Sequence, residues 1–414
     1  MNKRKIKIGL LSATLILILA GCGRSEPKEQ RYQRFARENL NSLQVQFDVL
    51  LQNSIENDMI PKAADPKGGA TWCNPRWDWV EGFFPGMCWQ LYQVKEEQKY
   101  EDAARYFQAK LIDHRFYKKS HDLGFVFCSS YGRGYKLTGE DSMRNVLIEA
   151  GKSLAGRFNP KVGSLQSWNV KNISHKNWMS TRGWEFPVIV DNMMNLQLLF
   201  ELTRFTNDST YYQMACSHAD RTMKDHFRED YSSYHVVDYD SETGNIRSKQ
   251  TAQGFAHESA WARGQAWGLY GYTMCYRYTK DEKYLRHADC IAGYIVDNLP
   301  EDYIPYWDFE APTMPNMQKD ASAAAIIASA LIELNSYSEN NYIETAFNML
   351  RELSGDEYRN EDGENYGYIL DHSVGSIPHN SEVDVPIIYA DYYYIEALMR
   401  LKSYGMRPKS KESN

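Results

Sequence analysis

Phe205-Thr206-Asn207-Asp208-Ser209 decides the fold, because the same kind of junction recurs along the chain. An aromatic or aliphatic residue ends one helical run, polar residues make the turn, and an acidic or amide side chain stands where the next helix needs its N-cap. Its relatives are the stretch from Tyr92 to Tyr100, Leu137-Thr138-Gly139-Glu140-Asp141, Tyr278-Thr279-Lys280-Asp281-Glu282 and, more loosely, Tyr337-Ser338-Glu339-Asn340-Asn341-Tyr342. Five such turns imply six helix pairs. Uneven spacing between the copies suits a toroid with insertions better than a regular solenoid. The expected architecture is all-α, an (α/α)6 barrel closed on itself; an irregular bundle or open solenoid is the alternative.

Outward from the junctions, periodicity places twelve helices, among them 124–137, 187–205 and 383–403, and no long period-two alternation argues for a large sheet. The inner helix of each pair should precede its junction. Gly264, Gly268 and Gly271 would let neighbouring inner helices approach closely. The long stretches 158–186 and 227–258 read as loops or small hairpins over the cavity mouth, where long ordered loops are often functional.

The run Phe186-Pro187-Val188-Ile189-Val190-Asp191-Asn192-Met193-Met194-Asn195-Leu196 carries an acid and two amides in apolar company. A buried ionised carboxylate costs several kcal/mol unless it is paired, so Asp191 reads either as a helix cap or as a group kept for chemistry. Asp122, after His121, opens another apolar segment in the same way. If the barrel closes, both acids face one mouth, where two converging carboxyl groups have their pKa values pushed apart. Arg263 and Trp267, four apart on one helix face, could meet a single ligand through its carboxylate and its ring; Trp as core filler and Arg paired to an acid is the plainer reading. His235-Val236-Val237-Asp238-Tyr239 reads as a short strand, with His235 either structural or catalytic.

Other chemistries lack their signatures. Gly151-Lys152-Ser153 lacks the earlier glycine of a phosphate loop, no G-x-S-x-G occurs, and His257-Glu258 has no second His, so neither a nucleophile elbow nor a metal or cofactor site is expected. A net charge of -7 and the lack of a basic run exclude a nucleic-acid partner. Aromatics at 14% supply flat apolar faces suited to sugar rings. At the N-terminus Lys3, Arg4, Lys5 and Lys7 precede an apolar run from Ile8 to Ala20, then Leu19-Ala20-Gly21-Cys22, which resembles a bacterial lipobox. The organisation expected is a lipoprotein signal peptide over 1–21, a tether over 22–29, one catalytic domain over 30–405 and a polar tail over 406–414. A lipid anchor on Cys22 would hold the protein facing the periplasm, with surface display the alternative, and would be its only link to a membrane.

Several blocks resemble glycoside hydrolase family 88, the unsaturated glucuronyl hydrolases: Trp77 to Gly86, His121-Asp122-Leu123-Gly124-Phe125, the Asp191 run, His235 to Tyr239, Trp261 to Trp267, Pro305 to Phe309, Asp320 to Ala324 and Glu382 to Pro386. The resemblance implies an (α/α)6 barrel that removes Δ4,5-unsaturated uronic acids from the oligosaccharides left by polysaccharide lyases, with no cofactor. The reaction it implies is hydration of the C4=C5 enol ether followed by collapse of the hemiketal. By this match Asp191 protonates C4 and then helps deprotonate the water that attacks C5, and Asp122 positions substrate. Trp79, Trp168, His235, Gln253, Trp261, Arg263 and Trp267 fall at positions similar to substrate contacts. The expected partners are glycosaminoglycan di- and oligosaccharides; galacturonyl-rhamnose or ulvan fragments, and a non-catalytic glycan-binding lipoprotein, are the alternatives. The chain departs from the pattern at an insertion around Ser174 to Phe186, bearing Trp178 and Trp184. It departs again where Pro378, not Lys, follows Ser373 and Ser376, the place of a sulfate-receiving Ser-x-x-Ser-x-Lys in some relatives.

Overall fold

The computed structural model describes residues 26–65, 67–171, 173–174, 177–312 and 317–406; the leader, Cys22 and nearly all of the polar tail lie outside them. The described chain begins with α1 (Lys28–Asn57) and a β1–β2 hairpin (Pro61–Ala64, Ala70–Trp72). Helices α2 (Phe83–Lys95), α3 (Gln98–Ala109), α4 (Leu123–Ser129), α5 (Tyr131–Thr138) and α6 (Asp141–Ala155) follow. After the short hairpin β3 (Phe158–Asn159) and β4 (Ser164–Leu165) come β5 (Phe186–Ile189), α7 (Asn192–Thr206) and α8 (Ser209–His226). Then come β6 (Val236–Tyr239), β7 (Ile246–Gln250), α9 (Ala262–Thr279) and α10 (Glu282–Asn298). The last elements are α11 (Ala321–Leu334), α12 (Ile343–Leu353), β8 (Ser373–Ser376), β9 (Ser381–Val385) and α13 (Ile388–Lys402).

The helices close into an (α/α)6 barrel. Its inner ring runs α2, α4 with α5, α7, α9, α11 and α13, each against the next and α13 back against α2. Helices α3, α6, α8, α10 and α12 form the outer layer, and α1 covers α13 to complete the sixth pair. Inner helices such as α9 and α11 are buried on nearly every face, whereas outer helices show a single buried stripe, as a two-layer toroid requires.

Four of the five junctions share one geometry. Glu96, Gly139, Asn207 and Lys280 end their inner helices with φ of 57°, 71°, 57° and 56°, and the N–H of each closes the last turn. Asp208 and Asp281 then cap the outer helices through Thr210 N–H at 2.9 Å and Lys283 N–H at 3.0 Å. Glu97 and Glu140 stand at the same position without a side-chain cap, which corrects the expectation that every junction is capped by its acid. In the fifth, Asn335 accepts from Tyr342 N–H at 2.8 Å and Ile343 N–H at 3.1 Å, so the cap of α12 comes from across the turn.

Three expected helix boundaries move. The segment 124–137 breaks at Ser130, whose hydroxyl donates to the Val126 carbonyl at 2.6 Å, giving α4 and α5. The starts of 187–205 and 383–403 are strands β5 and β9 instead, because Val188-Ile189 and Val383 are β-branched residues with cross-strand partners. As expected, the long insertions carry small hairpins, β3–β4 and β6–β7, and β5 adds to the second to make an antiparallel sheet in the order β5, β6, β7.

Close approach of the inner helices depends on particular glycines. A Cβ on Gly271 of α9 would lie 2.4 Å from Met193 Cβ of α7, and one on Gly124 of α4 would lie 2.4 Å from Asn195 Cα. Midway along the inner helices, Glu396 accepts from Tyr270 OH at 2.8 Å and pairs with Arg133 and Arg400. Burial pushes the Glu396 carboxyl up, but the two arginines win and hold it down at about 2. This network ties α5, α9, α11 and α13 together.

Candidate active site

Asp122 and Asp191 occupy the N-cap positions of α4 and α7, and neither side chain bonds to its helix's first-turn N–H groups. Two features bring these ends together. Gly124 lets α4 settle on α7, where Asn195 Oδ1 accepts from Phe125 N–H at 3.0 Å. A ladder then crosses the mouth: His121 N–H donates to Ser167 O at 3.2 Å, Ser167 N–H to Pro187 O at 2.9 Å, and Val190 N–H to His235 O at 3.0 Å. The β5–β6 register, Ile189 opposite Val236, therefore sets His235 beside Asp191.

Hydrogen bonding determines the state of both histidines. His235 Nδ1 lies 3.2 Å from Ala252 N–H and 3.3 Å from Gln253 N–H, and two backbone donors make it an acceptor. The ring's proton is therefore on Nε2, which faces Asp191 Oδ2 at 3.7 Å. Burial, reinforced by Arg263, holds the His235 pKa well below its ordinary value, so the ring is neutral. His121 repeats the pattern. With Asn195 Oδ1 already an acceptor, its amide nitrogen donates to His121 Nδ1 at 3.3 Å, and His121 Nε2–H faces Asp122 Oδ1 at 3.3 Å. Ser120 hydroxyl also donates to Asp122.

Burial raises the Asp191 carboxyl from 3.8 to about 7; Arg263 opposes the rise and the Asp122 charge adds to it. Among the described residues neither Asp191 Oδ2 nor His235 Nε2 has a hydrogen-bond partner, although both are buried. They face each other at 3.7 Å, beyond hydrogen-bond reach, so an acid oxygen and a ring N–H stand together without a bond.

The remaining expected site residues fall into three groups. Trp168 and Trp261 flank His235 at centroid distances of 6.2 Å and 4.5 Å, and half-buried Gln253 donates from Nε2 to Gly375 O at 3.2 Å. Trp79 is half-buried, 5.1 Å from the Tyr389 ring and 5.4 Å from Phe125. Arg263 and Trp267 lie deeper. Trp267 is buried between Phe125 and Tyr393 at 4.9 Å and 5.4 Å.

Arg263 is 1% exposed, and its guanidinium bonds to Asp320 at 3.1 Å, to the Val374 carbonyl, and to Gly375 O at 2.5 Å. Three of the five guanidinium N–H groups thus have protein partners, and Asp320 is the acid of the plainer reading. The charge is still felt at Asp191, whose pKa it lowers.

Sequence reasoning left out the roles of Ser120, Ser167, Asn195, Asp320 and Tyr389. Only Asp320 had a local signal, an acid at the start of the Ala321-Ser322-Ala323-Ala324-Ala325 run; it caps α11 by accepting from Ser322 N–H at 3.0 Å while pairing with Arg263. Ser120 acts on Asp122, two residues on, while Ser167, Asn195 and Tyr389 act through partners distant in sequence.

The Glycosyl Hydrolase Family 88 profile matches residues 53–408. This chain belongs to glycoside hydrolase family 88. Among its relatives is the unsaturated glucuronyl hydrolase of Formosa agariphila, 38% identical over 96% of this chain and 98% of its own. The unsaturated chondroitin disaccharide hydrolase of Streptococcus pneumoniae is 31% identical over 78% of this chain and 81% of its own. Among solved structures, an unsaturated glucuronyl hydrolase specific for heparin superposes with a TM-score of 0.83 at 40% identity, covering 91% of this chain and 99% of that one. The unsaturated glucuronyl hydrolase of Bacillus sp. GL1 gives 0.80 at 29% identity, over 88% and 96%. As a family 88 glycosidase the protein is an enzyme.

Proposed function

We infer that the protein is an unsaturated glucuronyl hydrolase, removing the Δ4,5-unsaturated uronic acid from the non-reducing end of lyase-generated glycosaminoglycan oligosaccharides. The observation that carries this reading is the buried Asp191 carboxyl, raised to about 7, with an unpartnered oxygen beside a neutral Nε2–H. At pH 7 about half of such a group holds its proton, against roughly one part in a thousand for an ordinary Asp.

Protonated Asp191 delivers its proton to C4 of the enol ether, and positive charge develops at C5 and the ring oxygen. Water adds to C5, the Asp191 carboxylate accepts the proton that water loses, and the resulting hemiketal opens and expels the leaving sugar. His235 Nε2–H stabilises the carboxylate when it forms. The buried Arg263 charge limits how far burial raises the pKa, keeping Asp191 able to work in both directions. Asp122, oriented by Ser120 and His121, positions the substrate and keeps the Asp191 pKa up. Trp79, against Phe125 of α4, and Trp168, beside His235, supply half-buried ring faces.

The test is loss of near-UV absorbance over a panel of lyase-generated unsaturated disaccharides. Wild type should bleach at least one member and Asp191→Asn none. A folded wild type that binds such disaccharides without bleaching them would make this a glycan-binding protein.

We further propose that the leader over 1–21 is removed and that Cys22 carries a lipid anchor holding the enzyme at the periplasmic face of the cell envelope. The basic, apolar and Leu19-Ala20-Gly21-Cys22 segments support this. Cys22→Ser should move the protein from the membrane to the soluble fraction; unchanged fractionation would overturn it.

A further inference from the structure

Arg182 differs from other guanidinium groups placed over aromatic rings in this protein. Arg105, Arg133, Arg277 and Arg400 each lie over a ring and each pair with a glutamate. Arg182 is half-buried, lies 5.7 Å from the Trp178 ring centroid and 5.8 Å from that of Trp184, and forms no ion pair among the described residues. Its Nη1 makes only a long contact, 3.4 Å, to Thr251 O. A planar fork of five donors with so little to hold is suited to an incoming anion.

The surroundings are aromatic and face outward. Trp178 is 38% exposed, with its ring 4.5 Å from His379, whose Nδ1 is 2.7 Å from the Ser376 hydroxyl. Trp168 lies 5.6 Å from Trp178 and 6.2 Å from His235, so this cluster stands one aromatic ring farther out than the histidine facing Asp191.

We propose that Arg182, Trp178 and His379 form a rim subsite for the leaving-group sugar, with Arg182 binding a sulfate ester on it. This rests on the reading of the protein as an unsaturated glucuronyl hydrolase. The uronate's own carboxylate is carried on C5, next to the carbon that Asp191 protonates, and so must lie close to Asp191. The cation felt at Asp191 is Arg263, which is also felt at His235 ahead of Arg182, and Arg182 is the cation felt at His379 on the rim. A cation set outward in this way matches the next sugar, whose apolar face Trp178 can cover.

The test compares unsaturated disaccharides that differ only in sulfation of the leaving sugar: none, 4-O, 6-O or N-sulfated. Binding is measured by calorimetry on full-length Asp191→Asn protein, and kcat and KM by absorbance loss on active protein. At least one sulfated probe should bind more tightly than the unsulfated one. Arg182→Gln should weaken that probe about tenfold, mostly in KM, with under threefold loss for the unsulfated one, and Arg182→Lys should recover part of the difference. Equal losses on both probes, or no sulfation preference in any pair, would overturn the subsite. A wild type that bleaches none of the probes would instead refute the hydrolase reading, while the binding comparison still decides the subsite.

Discussion

Replacing Asp191 by Asn should make the protein inactive and, above neutral pH, more stable. The carboxyl is raised from 3.8 to about 7 by burial, so the folded state binds its proton more tightly than the unfolded chain does. Stability from this group is therefore fully present below pH 3.8 and is lost as pH rises through about 7. The span from 3.8 to about 7, at about 1.36 kcal/mol for each pH unit, amounts to a cost of about 4 kcal/mol at pH 8. Only 8% of Asp191 is exposed, so solvent screening removes little of this. Asn has nearly the same shape and no charge. Near pH 4 the variant should match wild type, and at pH 8 it should be more stable by an amount of that order. Urea unfolding followed by tryptophan fluorescence at pH 4, 6 and 8 measures this difference, in which other titrating groups largely cancel. A stability difference flat with pH, or a variant weaker than wild type at pH 8, would refute the claim that burial raises this pKa.

The acid role of Asp191 predicts that kcat/KM falls as pH rises through about 7, and Asp122→Asn, by removing a charge that raises the Asp191 pKa, should move that alkaline limb to lower pH in the residual activity. Gly124→Ala would place a Cβ 2.4 Å from Asn195 Cα, so it should cost about 1–3 kcal/mol in unfolding experiments and depress kcat by separating the ends of α4 and α7. Asp320→Ala would strand the buried Arg263 guanidinium, a loss of about 3–5 kcal/mol measurable as a lowered urea midpoint.

Much of this site is local in its signals. The helix pairs were legible because their junctions are short-range devices: an inner helix ends on Asn207 or Lys280, and Asp208 or Asp281 begins the next. Asp122 and Asp191 stood out because ionisable residues interrupt apolar runs. The strand before Asp191 was misread as helix. Its Val188-Ile189-Val190 run had the composition of a strand, but periodicity over so short an apolar run does not separate a buried strand from a buried helix. Arg263 was legible as important, yet its partners Asp320, Val374 and Gly375 lie far along the chain and come to it only when β8 packs on α9 and α11.

The sequence by itself determined the helical toroid, the family, and which two carboxylates stand at the helix starts, since caps, turns and apolar periodicity act over a few residues. Only the tertiary structure decided what those carboxylates can do. The Asp191 pKa follows from burial by several distant elements, and the His235 tautomer from the Ala252 and Gln253 N–H groups. The reach of Arg263 follows from its place behind the cavity wall. Protonation depends on the dielectric and the charges within a few ångströms, and those neighbours are assembled by long-range packing that no local pattern encodes.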